Sequence, residues 1–260
     1  MYVILPDGDD PITYLCGGRL GDAIHQLSIV NENYLKTGRK GIVYLSDTIG
    51  DPFDRGLEAT LNDIREVIEL QPYIEKIKIH NDEHCDINLS RWRNHGFSFD
   101  NTWKQAFQIG VGVEWNTVPW ISITPNLQYK DTTFLSAGIF RYNHVLRYRE
   151  MHDKIENLVF LATTQEMYDN FVSKTGLEMP YLVCRTFSDL ASVIAGCKGF
   201  IGSLSMPLAL ADSMWKPRLA IMYGVHAENN VAMISDNRYI LYTEDLDKFD
   251  WKVPAKLHLQ

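Results

Sequence analysis

Apolar and polar residues alternate along the chain in blocks typical of strands followed by helices. Short apolar runs predict buried strands, and between them apolar residues recur every three or four positions, as on one face of a helix. Ile24, Leu27, Val30 and Tyr34 have this helical spacing. The other elements predicted in the first half are strands at Tyr2–Leu5, Pro11–Leu15, Lys40–Ser46, Ile74–Ile79 and Asp86–Ser90, and helices at Leu57–Leu70 and Thr102–Val113.

The same alternation restarts in the second half of the chain after an interruption. Between Trp115 and Asp131 the periodicity lapses, and Pro119 and Pro125 break the pattern, which indicates a linker. The elements predicted beyond it are strands at Thr132–Ser136, Asn157–Ala162, Tyr181–Cys184, Gly199–Gly202 and Arg218–Tyr223, and helices at Gln165–Thr175, Phe187–Cys197 and Pro207–Trp215. Such alternation is typical of parallel sheets covered by helices.

These patterns predict an α/β fold of two facing Rossmann-like, doubly wound domains, residues 1–125 and 126–260. Domains of this kind bind ligands at the carboxyl ends of their strands, so we expect the site in a cleft between the two domains. The tail, with Trp251 and Pro254, could fold back over the first domain. If the stretch from Trp115 to Asp131 is not a linker, the chain is instead a single-lobed nucleotide-binding protein.

A glycine-rich turn joins the first buried strand to the first long helix. Gly17, Gly18 and Gly21 lie within five consecutive residues there. Glycine tolerates backbone angles closed to other residues and lets another molecule approach the main chain, while the free N–H groups at a helix start favour anions. Asp22 falls at or next to this start, where it can cap the helix or act as a general base. The residues alone fit either a binding turn or a simple tight turn.

A second strand-to-helix turn lies at Ser203–Met206, before Pro207, a residue suited to the first turn of a helix. It offers backbone N–H groups and two hydroxyls at the positive end of a helix. A diphosphate suits this arrangement, because each negative charge gains roughly 0.3–1 kcal/mol from the helix dipole. Alternatively, Ser205 simply caps the helix.

Composition narrows the classes of function. The chain has 260 residues and a net charge of −8, which argues against a nucleic-acid partner but leaves room for local anion binding. No apolar run approaches the roughly 20 residues needed to cross a bilayer. The apolar stretch at the amino terminus, Met1–Pro6, is too short for the signal peptide of a secreted protein. The four cysteines form no CxxC pair, and Cys16, Cys184 and Cys197 lie in apolar runs. We therefore expect reduced core cysteines and a cytoplasmic protein.

A metal site is conceivable where His80, His84 and Cys85 follow one another closely. Because no other segment supplies ligands at a familiar spacing, a solvated loop at the end of a strand is the better interpretation.

Two stretches resemble the heptosyltransferase-like glycosyltransferases, family nine of the GT-B fold. Gly18–His25 resembles their "GDxxH" opening, and Phe200–Ala211, followed by Lys216 and Pro217, resembles their "FIGxDSGPxHLAxxxxKP" phosphate loop. Phe160–Glu166 looks like the "GxxxE" strand end that holds a donor ribose in that family. The resemblance touches most of the chain in the right order.

The resemblance implies an inverting transferase that moves a sugar from a nucleotide diphosphate sugar to the hydroxyl of a glycan acceptor, without metal or cofactor. It makes Asp22 the general base. The residues it implies at the donor are Ser203, Leu204, Ser205, Met206, Arg141 and Glu166, with Thr186 and Phe187 near the base. Those of the acceptor or donor loop are Gly18, Arg19, Gly21 and His25. No nucleic-acid partner or transmembrane segment is expected, and peripheral association with a membrane is left open.

Several of these residues also have a purely structural interpretation. Arg141 and Arg19 could be surface side chains, Glu166 could favour the start of its helix, and His25 and Phe187 could pack in the core.

The phosphate loop departs from the family pattern at three positions. Leu204 stands where the family usually has Asp, Met206 replaces Gly, and Ala209 replaces His. Because these residues touch the donor sugar or phosphate in heptosyltransferases, ADP-heptose is not predicted as the donor. Two other functions remain open: a nucleotide-sugar epimerase of the same fold, and an inactive module that binds a nucleotide or a glycan.

Overall fold

The computed structural model describes residues 5–94, 111, 119–138, 142–222, 239–240 and 243–248. The chain divides into two compact units, Met1–Ser122 and Ile123–Gln260. Each unit contains one parallel sheet. Most of the predicted strand Tyr2–Leu5, almost all of the predicted helix Thr102–Val113, Arg141 and the tail fall outside the described residues.

The first unit is a four-stranded sheet with helices between its strands. Its elements are β1 (Ile12–Gly17), α1 (Leu20–Thr37), β2 (Gly41–Ser46), α2 (Leu57–Glu69), β3 (Ile74–Ile79), β4 (Ile87–Asn88) and a 3-10 helix (Leu89–Asn94). The strands are parallel in the order β3-β2-β1-β4. From β1 the chain adds β2 and β3 on one side of the sheet and then β4 on the other side of β1. The strand order therefore reverses between β1 and β4.

The second unit has a six-stranded sheet. Its elements are a 3-10 turn (Leu127–Tyr129), β5 (Thr133–Ser136), α3 (Tyr148–Lys154), β6 (Leu158–Ala162), α4 (Gln165–Thr175), β7 (Tyr181–Val183), α5 (Phe187–Gly196), β8 (Gly199–Ser203), α6 (Met206–Ser213), β9 (Arg218–Ile221), β10 (Tyr239–Ile240) and a 3-10 helix (Thr243–Lys248). The parallel strands follow the order β10-β9-β8-β5-β6-β7. This is the six-strand Rossmann order, with its reversal between β5 and β8. The predicted α/β fold class is confirmed.

Local sequence signals explain why some elements end where they do. At the start of α4, the Thr164 side chain accepts a hydrogen bond from the Met167 N–H at 3.2 Å. At its end, Gly176 adopts the left-handed conformation, with φ of 63°, that commonly terminates helices. These two caps fix α4 at Gln165–Thr175, the range that the apolar spacing predicts.

A buried ion pair ties the end of α6 to the start of β9. Asp212 and Arg218 are 2% and 5% exposed, and their side chains are in direct contact. Nearby, the Lys216 ammonium donates to the Ala195 carbonyl at 3.0 Å. Because Arg218 pairs with Phe200 near the start of β8, these groups lie at the opposite end of the sheet from Ser203. The Lys-Pro pair of the phosphate-loop motif therefore lies at the amino-terminal edge of the sheet.

The four cysteines are free thiols, and Cys16, Cys184 and Cys197 are buried, as predicted. Burial raises the pKa of Cys197 to about 11, since the ionised thiolate would lose its hydration there. Among the described helices, none is long and apolar enough to cross a bilayer.

Candidate functional site

Both turns singled out in the sequence lie where the strand order reverses in their own sheets. The glycine-rich turn follows the carboxyl end of β1, beside β4, and the turn after Ser203 follows the carboxyl end of β8, beside β5. In open α/β sheets, ligands bind outside the carboxyl ends of the strands at such a reversal. Each unit therefore has one candidate binding turn.

The glycine-rich turn needs glycine for two different reasons. A Cβ on Gly17 would come 2.3 Å from the Ile49 carbonyl oxygen and 2.9 Å from that of Ser46, so the loop after β2 leaves no space for one. Gly18 instead has a φ of 95°, a left-handed angle that side chains disfavour. Gly21 lies in the first turn of α1.

Replacing Gly17 with alanine is expected to destabilise the first unit by about 1–3 kcal/mol, the usual cost of overpacking. The new methyl group would press on backbone atoms, which yield less readily than a side chain. Urea unfolding of the variant measures the loss. The comparison variant is Gly38→Ala, because a Cβ on Gly38 has nothing within 4 Å and meets only the backbone strain of a left-handed residue (φ 72°). An equal or larger loss in Gly38→Ala would contradict the steric explanation.

A buried hydrogen-bond network holds the backbone that leads into the glycine-rich turn. The Ser90 hydroxyl accepts the Gly17 N–H at 3.2 Å and donates to the Gly17 carbonyl at 3.0 Å. The Gln26 side-chain amide donates to the same carbonyl at 2.8 Å and to the Ser90 hydroxyl at 3.3 Å. Gln26 and Ser90 are 0% and 4% exposed, so these bonds are shielded from water. The network joins the end of β1 to α1 and to the segment after β4.

Asp22 is the third residue of α1 and is half-buried in its first turn. The helix dipole favours a negative charge at this position. Arg19 occupies the N-cap position, and its side chain makes no capping hydrogen bond. Burial, followed by the charge of Asp22, raises the pKa of the Cys16 thiol above its usual range.

The other predicted residues of this turn differ in exposure. Arg19 is exposed and lies 4.0 Å from the carboxylate of Asp51 and 3.9 Å from that of Asp54, both on the loop after β2. His25 is buried, and its ring centroid lies 6.1 Å from that of Trp120. The packed location of His25 agrees with its structural interpretation, and a role toward a substrate stays a prediction.

In the second unit, the two serines of the turn have different surroundings. Ser203 is fully buried, and its hydroxyl accepts the Gly138 N–H at 2.8 Å. Ser205 occupies the N-cap position of α6, but its hydroxyl donates to the Ser203 carbonyl at 3.0 Å and caps no N–H group. Leu204 is buried, and Met206 is partly exposed. The N–H groups in the first turn of α6 are therefore not occupied by the Ser205 side chain, as suits an anion site.

The remaining predicted donor residues follow neighbouring strands at the same edge of this sheet. Glu166 is exposed in the first turn of α4, after β6. Thr186 is the N-cap of α5, where its hydroxyl oxygen accepts the Asp189 N–H at 3.1 Å, and Phe187 is buried in the core. The donor roles of these residues stay predictions.

Buried polar residues that the sequence did not single out also shape this edge. Asn143 is 3% exposed; its amide donates to the Met222 carbonyl at 2.6 Å, and its carbonyl oxygen accepts the Val145 N–H at 2.7 Å. It joins the loop after β5 to the end of β9. Like Gln26 and Ser90, Asn143 carries no sequence signal, because its partner is distant along the chain.

No metal centre is found in the described parts of the chain, where no three His, Cys, Asp or Glu side chains are grouped so as to hold an ion. At the loop considered above, the His80 ring nitrogen lies 2.9 Å from the Glu83 carbonyl oxygen, and His84 is exposed. A solvated loop is thus the better description of this segment.

No protein-family model and no curated protein sequence matches the chain. Solved structures do match it. A glycosyl transferase family 9 protein from Veillonella parvula shares 13% identity, with 95% of this chain and 89% of that chain covered and a TM-score of 0.54. The chain has the GT-B glycosyltransferase fold. The predicted structural resemblance to family nine is confirmed.

Two E. coli proteins also share this fold. For the heptosyltransferase WaaC, solved with ADP, the identity is 9%, the covered shares are 93% of this chain and 97% of that chain, and the TM-score is 0.52. For TibC, described as an iron-containing dodecameric glycosyltransferase, the corresponding values are 12%, 98%, 70% and 0.56. Identities this low establish shared architecture and leave the chemistry to the residues of this chain.

Proposed function

We propose that the protein is a glycosyltransferase that moves a sugar from a nucleotide diphosphate sugar to an acceptor hydroxyl on a glycan. The observation that carries this proposal is the start of α6, whose first-turn N–H groups follow a partly buried turn at the reversal of a six-stranded Rossmann sheet. Neighbours of the same fold were solved with ADP and with an ADP-heptose, which supports a nucleotide sugar as donor.

In this proposal the second unit binds the donor. The diphosphate meets the N–H groups at the start of α6, which also stabilise the charge that grows on it as the glycosidic bond breaks. Glu166, exposed after β6, receives the ribose hydroxyls. Because the side chains of Leu204 and Ala209 are buried and apolar, they offer the donor sugar no hydrogen bond, so the sugar is held by other groups than in an enzyme with Asp and His there.

The first unit supplies the acceptor side and the base. The Asp22 carboxylate takes the proton from the acceptor hydroxyl, whose oxygen forms the new bond to the anomeric carbon. The bond between that carbon and the diphosphate breaks, and the nucleoside diphosphate leaves with the electron pair. A single displacement of this kind inverts the anomeric configuration. We propose that helix N–H groups take the place of a metal ion; activity retained after dialysis against EDTA supports this part, and activity restored only by added metal contradicts it.

A correct donor is expected to stabilise the folded protein measurably. At about 100 times its dissociation constant, a donor adds roughly 2.7 kcal/mol to the free energy of unfolding. Thermal unfolding should be recorded with UDP-, GDP-, ADP- and dTDP-sugars, with CMP-sugars, which carry a single phosphate, and the free nucleosides and free sugars as controls. One nucleotide series should shift the midpoint and its nucleoside should not. Absence of a shift with every nucleotide sugar would contradict the proposed function.

An inactive binding module is the second candidate, because Leu204, Met206 and Ala209 replace three polar or small residues of the phosphate loop. Such a module binds the donor but neither transfers nor hydrolyses its sugar. Release of nucleoside diphosphate from the donor found in the thermal screen separates the two functions.

A further inference from the structure

We propose that Ser90 and Ser203 are equivalent positioning residues, one in each unit, which fix the backbone that carries the reacting groups of the transferase. Each hydroxyl holds the glycine that ends the first strand of its sheet or follows it closely. The functional half of this inference rests on the proposed function, whereas its structural half does not.

The two serines occupy matching places in the two sheets. In the first unit, the glycine is Gly17 at the end of β1, and Ser90 follows β4 across the reversal of strand order. In the second unit, the glycine is Gly138 just after β5, and Ser203 ends β8 across the equivalent reversal. In both units, a glycine N–H donates to a buried serine hydroxyl, at 3.2 Å and 2.8 Å respectively.

Each glycine is also closely packed against its surroundings. Gly17 has no space for a Cβ, and a Cβ on Gly138 would lie 3.1 Å from the Ser203 hydroxyl oxygen, tighter than ordinary contact. At Gly138 the absence of a side chain thus lets the serine hydroxyl approach the main chain, whereas at Gly17 it makes room for the loop after β2. The hydrogen bond then holds the two strand ends together at the place where a ligand would bind.

The consequences differ between the units. Ser90 and Gln26 hold the residue that directly precedes the turn into α1, so they set the position of Asp22. Ser203 holds the loop after β5 against the turn into α6, and its carbonyl accepts the Ser205 hydroxyl. Because the Ser203 hydroxyl is buried and already bonded to Gly138, we expect it to fix the backbone that leads into α6 and not to contact the donor itself. Loss of Ser90 should impair the base, and loss of Ser203 should impair donor binding.

The structural half is tested by amide hydrogen exchange, followed by NMR, in Ser90→Ala and Ser203→Ala. The matched control is Ser213→Ala, because Ser213 is also fully buried and donates one hydrogen bond, to Leu210 at 2.8 Å, but lies at the far end of α6. We expect exchange at Gly17 in the first variant, and at Gly138 in the second, to be about tenfold faster. Unchanged exchange at both glycines in folded variants would overturn the proposal, whatever the activity.

The functional half is tested by steady-state kinetics with the donor found in the thermal screen. Ser203→Ala should raise the KM for the donor about tenfold with little change in kcat, and Ser90→Ala should lower kcat about tenfold with little change in that KM. Equal effects of all three variants would indicate general destabilisation and overturn the positioning roles. A wild-type protein that binds no nucleotide sugar would instead overturn the proposed function. The exchange result would still decide whether the two serine–glycine hydrogen bonds hold the strand ends.

Discussion

Replacing Asp22 with asparagine is expected to lower the rate of sugar transfer by about 10²–10⁴-fold, the usual contribution of a general base. Asparagine keeps the size of the side chain but cannot take up the proton of the acceptor hydroxyl. The dissociation constant of the donor should hardly change, because the proposed donor groups belong to the second unit. Product formation and calorimetric titration of the donor measure the two quantities separately.

The matched control for this variant is Glu75→Gln. Glu75 is an exposed carboxylate near the start of β3 that pairs with Lys40 at 3.7 Å, at the opposite end of the sheet from the glycine-rich turn. It should leave both the rate and the donor affinity unchanged. Full activity in Asp22→Asn would reject the base assignment, and loss of donor binding in that variant would contradict the assignment of the donor to the second unit.

Replacing Arg218 with methionine is expected to lower the free energy of unfolding of the second unit by about 3–5 kcal/mol. The substitution leaves the Asp212 carboxylate buried beside an apolar side chain. A buried charge that loses its partner keeps its desolvation cost without the compensating attraction. Arg218 also donates to the Lys216 carbonyl at 3.2 Å, so the substitution removes this hydrogen bond at the start of β9 as well.

Urea unfolding of the second unit measures this loss. The double variant Asp212→Leu and Arg218→Met should recover most of it, because it removes both charges and fills a similar volume. Lys154→Met serves as the exposed control, since Lys154 pairs with Asp247 at the surface, and it should have little effect. An Arg218 variant as stable as the wild type, or a double variant less stable than the single one, would contradict this account of the pair.

Sequence patterns predict most of the fold because apolar spacing is a local property. The ranges of β3 and α4 agree with the predicted ones, and the predicted helix α2 buries Leu61, Ile64 and Ile68, which have helical spacing. Strand β4 is shorter than predicted. The Asp86 carboxylate accepts hydrogen bonds from the Thr13 N–H and hydroxyl, and the chain turns into a 3-10 helix at Leu89. A partner so distant in sequence cannot be inferred from the residues around Asp86.

The candidate site was predictable only in outline. The two candidate turns are evident from glycine and serine after apolar runs. Why these residues are needed there depends on contacts with residues that are distant along the chain. Gly17 is required by the nearby Ile49 carbonyl, which the sequence does not indicate. Ser203 resembles a ligand contact in the sequence, whereas in the structure its hydroxyl holds Gly138. Gln26 looks like an ordinary helix residue, because its partner Ser90 is far along the chain.

The central claim is that the diphosphate of the donor binds the start of α6. An NMR titration of the ¹⁵N-labelled protein tests it most directly, with the nucleoside diphosphate whose sugar form gives the largest thermal shift. The amide signals of Ser205, Met206 and Leu208 should move most, and they should saturate together. Movement confined to the turn from Gly18 to Asp22, with the three α6 signals unchanged, would contradict the account.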